Sequence, residues 1–330
     1  MSTGHEYDVV GIGNAIVDLA ASVEDDFLDQ YDLIKGSMAL ITADQAADLS
    51  SALTDPAVAA GGSTSNTMTG VASFGGSGAF IGKVADDDLG AAFTQELTAA
   101  GVDCLVEPTL GSLPTAQSIV LVTPDAQRTM NTYLGVAGHV DEADITTSVI
   151  AASQVLFVEG YLWDSPTAAD AVKIAVATAK DAGTRVALSL SDSLCVDRHR
   201  SSFQEFLAES ADIVFGNESE VTSLYEVEVD AAIERLGSEV TLAFVTRGGD
   251  GSVVLEHGVR SEVTVQTFGE VVDTTGAGDQ YAAGVLYGLT QRSSPVDSAR
   301  LGSIAGGEVV THFGPRPNVK LSELAAEVAN

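Results

Sequence analysis

Short apolar runs rich in β-branched residues recur along the chain, separated by Ala-rich stretches whose apolar positions fall at helical spacing. The apolar runs predict strands at Tyr7–Gly11, Gly78–Gly82, Gln154–Val158, Arg185–Leu190, Ile213–Phe215 and Thr241–Val245. Several hold almost no polar position, the pattern of strands covered on both faces of a parallel sheet. Between them, Asp87–Ala100, Thr167–Ala182 and Ser201–Ser210 read as helices. Strands alternating with helices predict a doubly wound α/β fold with a mainly parallel sheet.

Two stretches break this rhythm. Ala15–Thr42 and Gln117–Leu134 hold short alternating segments, among them Ser118–Thr123 and Arg128–Tyr133 on either side of a Pro124-Asp125 turn. Such segments predict antiparallel hairpin strands in a small sheet outside the main one, placed as a lid. The expected division is a large α/β domain of residues 1–14, 43–112 and 137–330 and a discontinuous β lid of 15–42 and 113–136. Neither an internal repeat nor a low-complexity linker interrupts it.

Charge narrows the partners. Among 330 residues there are 47 Asp+Glu against 15 Lys+Arg, only five of them Lys, for a formal net charge of −32. With 45% hydrophobic residues the sequence folds and is not an acidic tail. A field of this sign repels phosphate backbones and anionic lipid, so a small molecule is expected as partner and nucleic acid and membrane are not. Cys104 and Cys195 make no disulfide framework, Met1–Val9 lacks the basic and apolar regions of a signal peptide, and no apolar run reaches spanning length. The expected location is cytoplasmic, and monomer and homodimer are both open.

The segment Val271 to Gly284 carries the most chemistry. A β-like run ends at Val272, the Gly-rich turn Asp273-Thr274-Thr275-Gly276-Ala277-Gly278 follows, and a helix of Ala, Val and Leu begins near Asp279. Successive N–H groups of Gly276, Ala277 and Gly278 at a helix N-terminus form an anion site. Small residues there let a phosphate approach the backbone. Asp279 stands where it can accept a proton from a hydroxyl beside that site. On spacing alone, an ordinary Gly turn with Asp279 near the helix cap reads about equally well.

This segment resembles the D-T-x-G-A-G-D signature of the ribokinase-like (PfkB) family of sugar and nucleoside kinases. Other blocks resemble that family in order: Gly11-Ile12-Gly13-Asn14 with Asp18, Gly61-Gly62-Ser63-Thr64-Ser65-Asn66, Gly82 to Asp87 with Ala85 in place of a usual Gly, Asn217-Glu218-Ser219-Glu220, and Thr246 to Gly251. The resemblance runs from about Tyr7 to Pro317, nearly the whole chain. It implies a ribokinase-like fold and ATP-dependent phosphorylation of a primary hydroxyl, with Asp279 as general base and Gly276, Ala277 and Gly278 around the transferring phosphoryl group. It further implies substrate contacts from Asn14, Asp18, Gly62, Ser63, Asn66 and Glu159, and nucleotide contacts from Asn217, Thr246, Arg247, Gly248, Gly251 and Gly278. Mg²⁺ would be organised indirectly by Glu220 with Asn217, although Asn217-x-x-Glu220 read by itself is a helix capping box. Asp273 and Thr275, with carbonyls near Thr311 and Gly314, resemble a monovalent-cation site and imply potassium dependence. Arg128 in the lid hairpin is either a source of positive charge over the phosphates or a solvent-facing strand residue.

Val23–Tyr31, Phe215–Glu218, Gly11–Asn14 and Ser189-Leu190-Ser191 are similar to adenosine kinases and their bacterial relatives within the family. Glu159 and Thr275 instead follow the sugar-kinase members. Adenosine is therefore the leading expectation, with ribose or fructose as the alternative and a non-catalytic sensor on the same fold as the rival of another class. Other motifs fail on inspection. Gly11-Ile12-Gly13 lacks the third Gly of a dinucleotide fingerprint, because Ile16 stands there. Ser77 to Val84 misses both ends of a P-loop, Asp86-Asp87-Asp88 reads as partners of a helix N-terminus, and the His residues show no zinc spacing. An ATP site in so acidic a chain needs local positive potential, and moderate salt is expected to help nucleotide binding.

Overall fold

The computed structural model describes residues 5–125 and 127–328. Tyr7–Ile12 lies between two parallel neighbours, Gly78–Ile81 on one side and Ser153–Glu159 on the other. Its side chains alternate between two cores. Val10 and Ile12 join Leu156, Val158 and Leu188 on one face, and Val9 joins Val155, Phe157 and Phe215 on the other. With helices over both faces, these strands have no reason to carry a polar side.

Among the described residues the main sheet has nine strands, in the order Val259–Val263, Ser252–Glu256, Leu242–Thr246, Ile213–Asn217, Arg185–Ser189, Ser153–Glu159, Tyr7–Ile12, Gly78–Ile81, Val102–Cys104. Pairing is parallel except for the hairpin Ser252–Val263, which adds an antiparallel edge. Every strand expected from the apolar runs is present, with ends shifted slightly. The edge strands Val102–Cys104 and Val259–Val263, and Ser252–Glu256 next to the second of them, were not expected. The first is short, and the second, Val-Arg-Ser-Glu-Val, is largely exposed and so carries little apolar signal. The helix expected at Ser201–Ser210 begins already at Ser193, capped by Asp192, and its pattern is broken by non-helical backbone at His199 (φ −123°, ψ 19°).

The chain passes from Tyr7–Ile12 outward to Val102–Cys104, then returns to Ser153–Glu159 and proceeds to the opposite edge. The strand order thus reverses between Tyr7–Ile12 and Ser153–Glu159, and the carboxyl ends at such a reversal leave a crevice.

Among the described residues a second, five-stranded sheet has the order Met38–Leu40, Arg128–Tyr133, Ala116–Val122, Ile16–Ser22, Ala57–Gly61. The hairpin forms as expected, with Val122 opposite Arg128 and Gln117 opposite Tyr133. Residues 57–61 depart from the expected division. They were grouped with the large domain, yet they pair antiparallel with Ile16–Ser22 in the small sheet. The sequence Ala-Val-Ala-Ala-Gly has neither alternation nor large side chains to announce a strand.

Asp87 ties the two sheets together. Its carboxylate accepts Gly90 N–H at 2.8 Å as a helix cap, and also Thr115 N–H at 2.8 Å and Thr115 Oγ1–H at 2.6 Å, where the chain enters the small sheet. Among the described residues no helix is long and apolar enough to cross a membrane.

Candidate active site

At the strand-order reversal, Asn14 follows one strand and Glu159 ends its neighbour. Glu159 Oε1 accepts Asn14 N–H at 2.7 Å and Asn14 Nδ2–H at 2.8 Å. Its Oε2 accepts Thr64 N–H at 3.0 Å and Thr64 Oγ1–H at 2.7 Å. Burial pushes the Glu159 carboxyl upward and these four donors pull it back, leaving it raised. A carboxylate with four donors has no acceptor position left. Glu159 therefore lines the cavity but spends its capacity on joining the Asn14 loop to the helix Ser63–Ser73.

That helix brings Ser63 and Asn66 to Asp279. Ser63 Oγ–H donates to Asp279 Oδ1 at 2.6 Å and Asn66 Nδ2–H donates to Oδ2 at 3.1 Å. Burial raises the Asp279 carboxyl above its ordinary value, opposed by these two bonds. Gly62 precedes the helix at φ 89°, and a Cβ there would lie 2.4 Å from Asn14 O, so only glycine closes this corner.

Asp279 is in the first turn of the helix Ala277–Thr290, behind Gly276 at φ 77°. A Cβ on Gly276 would meet Pro315 at 2.5 Å, whereas a Cβ on Gly278 would meet nothing within 4 Å. Among the described residues the N–H groups of Gly276, Gly278 and Asp279 have no protein acceptor; Ala277 N–H donates to Thr274 O at 3.2 Å. The N–H groups left free for an anion are thus these three, and Ala277 is the member of the expected trio whose N–H is occupied.

Two cavities meet at this turn. One, of about 340 Å³, is lined by Asn14, Gly62, Ser63, Asn66 and Glu159 from the large-sheet side and by the polar Asp18, Ser118 and Thr132 from the small sheet. The small sheet also brings an apolar patch to it, Met38, Leu40 and Met130 with Ile16, and Leu134 lies next to them just past the strand end. The second, of about 360 Å³, lies between the Thr246–Ser252 loop and the helix Pro295–Val309 and includes Thr246, Gly248 and Gly251. Thr274, Ala277 and Gly278 line both.

Among the described residues none donates a hydrogen bond to the Asp18 carboxylate. Burial pushes it up to about 6, against the pull of Arg128 and Arg316 and with a small push from Asp279. Asn217 and Glu220 line the first cavity and also form the capping box that spacing alone suggested. Asn217 Oδ1 accepts Glu220 N–H at 2.9 Å and Glu220 Oε2 accepts Asn217 N–H at 3.0 Å. Burial is the main reason Glu220 rises to about 7. Among the described residues no three His, Cys, Asp or Glu side chains gather as a metal cluster, so a divalent ion here would keep most of its waters.

Two basic residues lie elsewhere than expected. Arg247 turns onto Glu218 at 2.8 Å and lines neither cavity. Arg128 reaches from the small sheet to Asp273, and its Nε is buried without a partner. Asp273, Thr275 and Gly314 do come together, with Arg128 as a further donor to Asp273. Thr275 donates N–H and Oγ1–H to Asp273 Oδ1, and Gly314 presents its N–H, not its carbonyl, to Oδ2. As arranged, the Asp273 carboxylate leaves no open position for a monovalent cation, at odds with the expected potassium site.

Sequence reasoning also missed Arg316, which donates from Nε to Asn66 Oδ1 and from Nη2 to Ser65 Oγ, both at 3.3 Å. A basic residue between Pro315 and Pro317 in so acidic a chain was the available signal. Asp164 was missed as well; it lines the cavity and is held by Arg198 at 2.7 and 2.9 Å and by His199 at 2.7 Å.

A crevice at the strand-order reversal, a helix N-terminus shared by two cavities and a half-buried Asp beside it define a group-transfer enzyme of the ribokinase-like fold. A family model described as pfkB family carbohydrate kinase matches residues 30–321, and the chain belongs to that family. An adenosine kinase from Sinorhizobium meliloti has a solved structure similar to this one, with a TM-score of 0.92 and 46% identity over 98% of this chain and 100% of that one. A probable sugar kinase from Rhizobium etli CFN 42 superposes with a TM-score of 0.93 and 41% identity, covering 98% and 99% of the two chains. A 5-dehydro-2-deoxygluconokinase from Shouchella clausii is 28% identical over 98% of this chain and 96% of its own. The protein is a phosphotransferase with an alcohol group as acceptor, of the kind that takes ATP as a substrate. A purely non-catalytic sensor is set aside.

Proposed function

We propose that the enzyme transfers the γ-phosphoryl group of ATP to the primary hydroxyl of a nucleoside, adenosine first among them. The observation that carries this is the composition of the acceptor cavity: Asp18 is free to accept, and beside it lies an apolar patch of Met38, Leu40, Met130 and Leu134. A free sugar bears hydroxyls on every side and would leave some unpaired against that surface. A nucleoside divides the same way as the cavity, with ring hydroxyls for Asp18 and a flat base for the apolar patch. The likeness to the Sinorhizobium meliloti adenosine kinase supports the same reading.

In this reading Asp279 accepts the proton of the attacking hydroxyl, held in line by Ser63 and Asn66. The free N–H groups of Gly276, Gly278 and Asp279 stabilise charge on the transferring group, and Thr246, Gly248 and Gly251 border the nucleotide. Asn217 and Glu220 would hold hydrated Mg²⁺, which when bound supplies neutralising charge to the phosphates. Asn14 and Glu159 act by fixing the cavity wall.

The test is ADP release with ATP and Mg²⁺ over a panel of adenosine, inosine, ribose, fructose and 5-dehydro-2-deoxygluconate. Adenosine should give the highest kcat/KM. A sugar or sugar acid exceeding both nucleosides would replace this reading with that of a sugar kinase, which the 41% and 28% identical relatives represent.

A further inference from the structure

Asp273 enters the Gly-rich turn with both oxygens fully used. Oδ1 accepts Thr275 N–H at 3.0 Å and Thr275 Oγ1–H at 2.7 Å. Oδ2 accepts Gly314 N–H at 3.0 Å and the Arg128 guanidinium. An ionised carboxylate offers about four lone-pair positions, and all are taken. Burial alone would raise this carboxyl; the Gly314, Thr275 and Arg128 contacts outweigh it and hold it below its ordinary value, ionised at any working pH. A potassium ion at Asp273 would have to displace a donor and sit beside a guanidinium in a buried place, where like charges repel strongly.

The two segments that Asp273 holds are those that shape the anion site. Thr275 directly precedes Gly276. Gly314 precedes Pro315, which packs behind Gly276 and whose carbonyl accepts Gln280 Nε2–H at 3.0 Å next to Asp279. Arg128, in turn, begins the strand whose Met130 and Thr132 line the acceptor cavity. We infer that the lid guanidinium of Arg128 takes the electrostatic place of a monovalent cation, so that closure of the small sheet over the acceptor, and no bound potassium, sets the Gly276–Asp279 turn. The inference rests on the phosphotransferase class and on none of the candidate acceptors.

Its test compares potassium chloride with choline chloride at equal ionic strength. Turnover of the wild-type enzyme with its best acceptor should agree within about twofold, and its melting temperature with a non-hydrolysable ATP analogue should be the same in both salts. Arg128→Gln frees one position on Asp273; it should turn over more slowly and acquire a potassium response, with higher activity and a melting temperature that rises with potassium but not with choline. If Arg128→Gln does not fold, Arg128→Lys keeps the charge and should remain indifferent to potassium. Activation of the wild type by about fivefold or more, a potassium-specific rise in its melting temperature, or a folded Arg128→Gln without any potassium response would each overturn the inference. Should no acceptor in the panel be phosphorylated, the melting series decides the matter alone, so failure of the nucleoside reading and failure of this one are distinguishable.

Discussion

The Gly276–Asp279 turn and the lid wall face each other across one cavity, and they are built in opposite ways. The turn is a run of adjacent residues whose chemistry comes from backbone N–H groups and one carboxylate. The wall is a surface in which strand pairing brings Met38 and Leu40 beside Met130 and Thr132, with Ser118 from the next strand and Leu134 just past the strand end. A positive φ at Gly276 with Pro315 behind it admits no side chain at that position. The wall's apolar part asks only for shape, which many side chains supply. Transfer chemistry and acceptor choice should therefore separate under mutation.

The sharpest break between them is expected at Asp279. Asp279→Asn should lower kcat by about 10²- to 10⁴-fold, the range of a lost general base, with the KM for ATP little changed in initial-rate measurements. A lid-wall substitution with the same loss would erase the distinction.

Asp18 lies between the two regions and should act on acceptor binding. Asp18→Ala should raise the acceptor KM by about ten- to a hundredfold, as for a lost hydrogen bond to a charged group. Only the ionised carboxylate accepts two hydroxyls, so the wild-type acceptor KM should rise as pH falls through about 6, and the variant should lack that dependence. Stability should move the other way. A carboxyl raised on folding contributes stability below its unfolded value, and that contribution is lost as pH rises through the folded value. With Asp18 near 6 and Glu220 near 7, the melting temperature of the unliganded enzyme should climb as pH is lowered from about 8 to 5. Asp18→Asn should make the calorimetric slope shallower.

A smaller, selective effect is expected from the wall itself. Leu134→Ser should raise the nucleoside KM by about five- to twentyfold while leaving that of any free sugar unchanged, because only the base meets that surface. Equal losses for both acceptor types would contradict the division of labour. Least of all, moving from low to moderate choline chloride should lower the KM for ATP by about two- to fivefold, as screening weakens the field of the −32 chain. A KM rising steadily with salt would mean that local attraction dominates.

Much of this arrangement was legible in the chain. The strands of the central sheet declared themselves because burial on both faces demands uninterrupted apolar runs, as at Val9, Val10 and Ile12. The turn at Gly276 was legible because its residues are adjacent. Ala57–Gly61 was not, since a strand of small residues has no pattern, and Arg316 was not, since its partners Ser65 and Asn66 lie across the fold. Glu159 was found by position, but that its oxygens are saturated depends on Asn14 and Thr64 arriving from two other elements.

By itself, the sequence determined the layered α/β architecture, the Gly-rich helix N-terminus and the Asp beside it, because each of these is written in neighbouring residues through periodicity and backbone conformation. The tertiary structure alone decided which carboxylates remain free. Asp18 and Asp279 face the cavity with capacity to spare, while Glu159 and Asp273 are filled by donors from distant segments. The physical reason is that a carboxylate's availability is set by how many N–H and O–H groups surround it in space, and spacing along the chain does not carry that count.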